Sequence, residues 1–217
     1  MSWEGIYRRK GAVLTKQEPF YRGVLRRLRG KNNKTALDLG CGTGRYAYLL
    51  AGSFKRVFAC DTSPTALKIL RAGLKKAGLA NVILKRGAFQ KIPFPAASVD
   101  FVLCANVLQH GTLKDVEKGV SEIARVLKPG GTVAVDLLDV RDMRNGRGKT
   151  IEPNTVIFDK GNEKGVPHHF STLAEARRLF LPRFKPKKLF SKKFRPPHAK
   201  FCDVEFVTRI YVLAVKK

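Results

Sequence analysis

From Thr35 onward, short apolar runs alternate with longer segments in which apolar residues recur every three or four positions, the pattern of strands followed by helices. Thr35–Leu39 predicts a first strand, a helix over about 44–52 follows it, and Arg56–Cys60 predicts a second strand. Thr62 or Ser63 then caps a helix with Pro64 in its first turn, and Ala66, Leu67, Ile69, Leu70 and Leu74 fall at helical spacing. Val82–Lys85 and Val99–Cys104 predict two more strands. Thr112-Leu-Lys-Asp115 reads as a capping box that opens a helix to about Leu127. Pro129-Gly130-Gly131 stops that helix, and Thr132–Leu138 predicts a fifth strand. Such alternation implies a parallel sheet covered on both faces.

Beyond Leu138 the pattern changes. Residues 139–167 are polar, glycine-containing and without period, which predicts a long loop with one short strand at Thr155–Phe158. Loops of this length are usually functional or mobile. A helix near Thr172–Leu181 follows, capped by Ser171 or Thr172, and strands around Lys187–Phe190 and Val204–Val215 close the sheet as a hairpin-like pair.

The 217 residues fit one domain with trimmings, and a hydrophobic fraction of 44% supplies a normal core. No run approaches the roughly 18–20 apolar residues of a membrane helix, and MSWEGIYRRK lacks an apolar signal region. The expectation is a soluble cytoplasmic protein. Cys41, Cys60, Cys104 and Cys202 form no CxxC pair, so they read as packed thiols with no metal site.

Charge alters the picture. Lys and Arg number 43 against 17 Asp and Glu, a net +26. From Ala176 to Cys202 there are ten Lys or Arg and no acid. Charge of this size makes a polyanionic partner a reasonable expectation, and RNA, DNA, acidic lipid and an acidic protein all fit it.

The chemistry concentrates in Asp38-Leu39-Gly40-Cys41-Gly42-Thr43-Gly44, at the exit of the first strand and the entrance of the first helix. Glycines there let a ligand approach the backbone, and the helix start presents free N–H groups to an anion. The spacing is GxGxG with an acid two residues ahead, unlike the dinucleotide GxGxxG, and no Lys-Ser/Thr follows as a P-loop requires. Asp61 ends the second strand, where a carboxylate accepts ribose hydroxyls.

With the later Leu127-Lys-Pro-Gly-Gly131 turn, this arrangement resembles the class I S-adenosylmethionine-dependent methyltransferases, of the type 11/25-like domain, closely over about residues 33–138. The resemblance implies an α/β fold: a doubly wound, mostly parallel seven-stranded sheet with helices on both faces and the last strand antiparallel. It implies one domain, with a basic N-terminal lid (1–34), a cofactor-binding core (35–138) and a substrate region of loop, helix and basic strands (139–217). It also implies S-adenosylmethionine as cofactor. Asp38, Gly40, Cys41, Gly42 and Gly44 would then surround its methionine part and Asp61 its ribose. In Gly87-Ala88-Phe89 the family's usual acid is replaced by Ala88, leaving Phe89 and Thr62 to hold the adenine. Asn106, Val107 and His110 would line the sulfonium and the acceptor, with His110 as the base if one is needed. His168 and His169 are weaker candidates, and Trp3, Tyr7 and Tyr21 are candidate lid residues. The acceptor expected is a tRNA or rRNA. An acidic metabolite or lipid headgroup is the alternative, and a non-catalytic nucleic-acid-binding protein with this fold is the third reading.

Overall fold

Residues 2–28, 30, 33–202 and 204–217 are described by the computed structural model. Two helices precede the sheet, α1 (Trp3–Lys10) and α2 (Pro19–Leu28). The βα units follow as β1 (Thr35–Leu39), α3 (Ala47–Ala51), β2 (Arg56–Asp61), α4 (Pro64–Lys76), β3 (Val82–Arg86), β4 (Val99–Cys104), α5 (Leu113–Val126) and β5 (Leu127–Asp139). Caps set their starts: Ser63 Oγ accepts from Ala66 N–H at α4, and Thr112 and Asp115 form both bonds of a capping box at α5. The main sheet runs β3-β2-β1-β4-β5 in parallel. Two closing strands extend it, β10 (Val207–Lys216) antiparallel to β5 and β9 (Phe184–Phe194) antiparallel to β10 at the edge. This is the expected doubly wound α/β sheet with an antiparallel final strand.

Alternating side chains of the central strands feed two cores. Val102 and Cys104 of β4 face a layer that includes Ile123 of α5, while Phe101 and Leu103 face Leu25 and Leu50 on the other side. Each such buried side chain contributes about 1.5–3 kcal/mol relative to exposure. Cys41, Cys60 and Cys104 are free, buried thiols, and burial pushes Cys60 up to about 12. The side chains of Lys200 and Cys202 lie outside the described residues.

Several expectations are corrected. The helix expected over 44–52 is only Ala47–Ala51, because the glycine turn occupies the preceding residues. Pro129-Gly130-Gly131 lies inside the irregular start of β5, since α5 has already ended at Val126. The stretch after Leu138 holds the expected strand as β7 (Thr155–Ile157), but β6 (Lys149–Glu152) and β8 (Pro167–Ser171) join it in an antiparallel ladder, and the expected helix follows as α6 (Leu173–Phe180). The ladder joins the main sheet because β5 runs past the end of β4. Leu138 and Asp139 pair with Phe170 and Ser171 of β8 along the edge that β4 has vacated. A short α7 (Ala199–Cys202) lies between β9 and β10. No helix among the described residues is long and apolar enough to cross a membrane.

Candidate active site

At the C-terminal end of β1 the chain must reverse sharply toward α3, and glycine makes the path possible. Gly40, Gly42 and Gly44 have φ of 70°, 52° and 103°, a region unfavourable to residues with a Cβ. The N–H groups of Gly40 and Cys41 both donate to the Cys60 carbonyl, at 2.7 and 3.0 Å, which ties the turn to β2. A Cβ on Gly42 would stand 2.5 Å from the Tyr7 hydroxyl. The turn is therefore packed directly under α1.

Glu4 holds α1 in place. Its carboxylate accepts from Ser63 Oγ (2.5 Å) and from Thr65 N–H (3.2 Å) and Oγ1 (2.7 Å) at the start of α4. These bonds, Ser63 foremost, lower its pKa from 4.5 to about 2. Beneath α1 lies a cavity of about 520 Å³, within the range of small-molecule sites.

Its walls bring together most of the residues singled out in the sequence: Asp38, Gly40, Cys41, Gly42, Asp61, Thr62, Phe89, Asn106, Val107 and His110. Two stand apart. Gly44 packs toward Leu70 and Tyr48, and Ala88 sits in a bridge with Lys91. Of the lid candidates, Trp3 and Tyr7 line the cavity, whereas Tyr21 is fully buried in the core, its hydroxyl donating to Asp136. Arg45, Gln90, Leu14, Val166 and Pro167 also line the cavity. Arg45 directly follows the glycine turn and Pro167 opens β8, while Leu14, Gln90 and Val166 lie in loops without motifs, so no local signal marks these three.

Asp38 is 2% exposed, and its Oδ2 has no hydrogen-bond partner. Burial raises its pKa from 3.8 to about 7, against the opposing charge of Arg45. A buried carboxylate oxygen without a donor suits an incoming ammonium. Asp61 accepts from Gly42 N–H (2.8 Å) and Ser63 N–H (2.9 Å), and burial raises its pKa too. Each of its oxygens keeps a lone pair for a hydroxyl donor. The residues present thus fit a cofactor that carries an ammonium and a ribose.

At the far end, Asn106 turns the chain off β4 with φ 61°, its N–H donating to Asp136 (2.8 Å) and its side-chain amide to Glu18 (3.1 Å). Strained backbone of this kind is concentrated at functional sites. His110 Nε2 meets the Asn106 carbonyl at 3.1 Å, and the Trp3 ring lies edge-on to the imidazole at 5.2 Å. Burial, with His168 nearby, lowers the His110 pKa to about 3.

A doubly wound sheet ending in an antiparallel strand, with a glycine turn and two acids at the strand ends, defines a class I methyltransferase that uses S-adenosylmethionine. The chain belongs to that family. Residues 37–135 match the family model described as a methyltransferase domain. The chain is 32% identical over 191 residues to the demethylmenaquinone methyltransferase of Geobacillus kaustophilus, covering 84% of this chain and 76% of that protein. It is 31% identical over 138 residues to a probable S-adenosylmethionine-dependent methyltransferase of Mycolicibacterium smegmatis, covering 64% of this chain and 50% of that one. Its fold is similar to the crystal structure of an S-adenosylmethionine-dependent methyltransferase from Methanosarcina mazei, with a TM-score of 0.72, 20% identity and coverage of 93% and 98%.

Proposed function

We propose that this S-adenosylmethionine-dependent methyltransferase acts on a compact small molecule that enters the cavity under α1. The observation that carries this reading is the roof: Glu4 fastens α1 to α4, and Tyr7 closes on the glycine turn. A macromolecular acceptor would have to displace it. The relative from Geobacillus is named for a small-molecule acceptor, which agrees with this reading.

The sulfonium of the bound cofactor supplies an electrophilic methyl group with a neutral thioether as leaving group. Asp38 and the turn at Gly40, Cys41 and Gly42 would hold the methionine part. Asp61 would hold the ribose, and Phe89 and Thr62 would hold the adenine. Gly44 and Ala88 would shape the backbone without touching the ligand. Asn106, Val107 and His110 would face the acceptor. The protein's contribution is then mainly alignment and exclusion of water, and orientation alone supplies up to about 7–11 kcal/mol in such reactions. His110 donates Nε2–H to Asn106 and keeps Nδ1 as a bare lone pair. An imidazole so hard to protonate is a weak base at neutral pH, so an acceptor that is readily ionised suits this site.

An RNA acceptor is the second reading, favoured by Lys185, Lys187, Lys188, Lys192 and Lys193 along the edge strand β9. Transfer of labelled methyl from S-adenosylmethionine into cell extract, separated into RNA, protein, lipid and small molecules, tests both, with Asp61→Ala as control. Label in the small-molecule or lipid fraction upholds the first reading. Label in RNA, with a salt slope of about −0.7 to −0.9 per phosphate contact, refutes it in favour of the second.

A further inference from the structure

The corner of the cavity at His110 holds groups that alignment of the cofactor does not use. Because β8 takes the edge of β5 beyond β4, it carries its histidines against the turn that follows β4; His169 N–H donates to the Gln109 carbonyl at 2.8 Å. His168 is thereby brought edge-on to His110, with ring centroids 4.8 Å apart. Glu163, on the turn before β8, completes the set. One ligand atom from each of His110, Glu163 and His168 lies within 4.8 Å of the other two.

The imidazoles are fixed from behind in a particular tautomer. A carbonyl only accepts, so His110 Nε2 donates to Asn106 O (3.1 Å) and His168 Nδ1 donates to Val166 O (2.9 Å). Phe158 stacks on the His168 ring at 4.2 Å and 17°. The other nitrogens, His110 Nδ1 and His168 Nε2, are left as buried lone pairs without a hydrogen-bond partner. His168 Nε2 faces Glu163 Oε1 at 3.5 Å, too far for a good hydrogen bond. Two buried imidazole nitrogens without a donor thus converge with a partly exposed carboxylate.

The local charge is also unbalanced. Asp142 pairs with Arg144 at 2.8 Å and Asp136 with Arg209, while Arg144 stands 3.9 Å from Glu163. Glu163 thus has no cation closer than this Arg144 contact among the described residues.

We propose that His110, Glu163 and His168 bind a divalent transition-metal ion of the borderline class that includes zinc. Two imidazoles and one carboxylate are a ligand set that such ions take, with a coordination position left open. The backbone carbonyls behind the imidazoles supply the outer shell that fixes ligand orientation. Ligation at about 2.0–2.1 Å draws the three groups closer. Glu163 lies between Gly161 and Gly165, both at positive φ, in a turn able to make that adjustment. His110 lines both the main cavity and a small one behind it that Glu163 and His168 also line, so the ion sits where the two meet. Its open position takes an acceptor oxygen and lowers the pKa of that hydroxyl, which His110 alone does poorly. This role rests on the small-molecule reading; the binding of the ion does not.

The full chain, stripped with chelator, is titrated with Zn²⁺ by calorimetry and with Co²⁺ by visible absorption. S-adenosylmethionine binding serves as the check that each variant is folded. One ion per chain, visible Co²⁺ bands of a low-coordinate site, and at least about tenfold weaker binding in Glu163→Gln and in His168→Gln are expected. Zn²⁺ affinity that is unmeasurable, or equal in the wild type and both folded variants, overturns the site. Metal binding that leaves transfer to small molecules unchanged keeps the site and refutes its part in acceptor activation.

Discussion

Replacing Asp38 by Asn should make the empty protein more stable while removing its cofactor. At 1.36 kcal/mol per pKa unit, the rise from 3.8 to about 7 in the folded state corresponds to about 4 kcal/mol of cost once the group is ionised. Below pH 3.8 the carboxyl is neutral in both states and nothing is lost. Between 3.8 and about 7 the unfolded chain ionises and the folded one does not, so stability falls as pH rises through this window and then levels off. Asn does not titrate. The stability difference between Asp38→Asn and wild type should therefore grow by about 2–3 kcal/mol from pH 5 to pH 7.5, as read by urea denaturation without ligand. With S-adenosylmethionine the order should reverse, because in the proposed site its ammonium would supply the donor that Asp38 Oδ2 lacks. A stability difference that is independent of pH, or a variant that binds the cofactor as wild type does, would refute the reasoning.

Gly42→Ala places a Cβ 2.5 Å from the Tyr7 hydroxyl at φ 52°. It should cost at least about 1–2 kcal/mol and weaken cofactor binding by calorimetry; unchanged binding would show that the turn and α1 are not packed as described. Glu4→Ala should abolish amide-exchange protection of Trp3–Lys10 and weaken cofactor binding, since it deletes the bonds to Ser63 and Thr65. In the wild type, the Glu4 contribution is complete above pH 4.5 and lost as pH falls through about 2. Loss of protection already at pH 4 would count against that contact. Tyr21→Phe removes a donor from the fully buried Asp136, which also accepts from Asn106 N–H. A loss of about 1–3 kcal/mol in urea is expected, and less than about 0.5 would mean that the carboxylate finds another partner.

Local signals carried the core. Ser63 with Pro64 and Thr112 with Asp115 announce helix starts by chemistry that acts within four residues, and both caps form. The glycine turn is equally local, since its conformation excludes most other residues. What the sequence hid is non-local. Lys149–Glu152 and Pro167–Ser171 are too short to show a period, and β8 is attached to β5 by the pairing of only Leu138 and Asp139. Without that register nothing in the sequence places His168 beside His110. The fate of the three aromatic lid candidates was hidden for the same reason. Tyr21 goes inward because Asp136, far along the chain, accepts its hydroxyl, while Tyr7 goes to the turn.

The edge strand β9 bears on how the molecule behaves in company. An eleven-residue strand at the margin of a sheet presents a row of unpaired backbone groups, a template on which another copy could add its own strand. Lys185, Lys187 and Lys188 near one end, and Lys192 and Lys193 near the other, put like charges wherever two such margins would align. Five of the chain's positive charges thereby act as a fence against self-association. Neutralising those lysines should lower the concentration at which the chain begins to associate, even with its cavity intact.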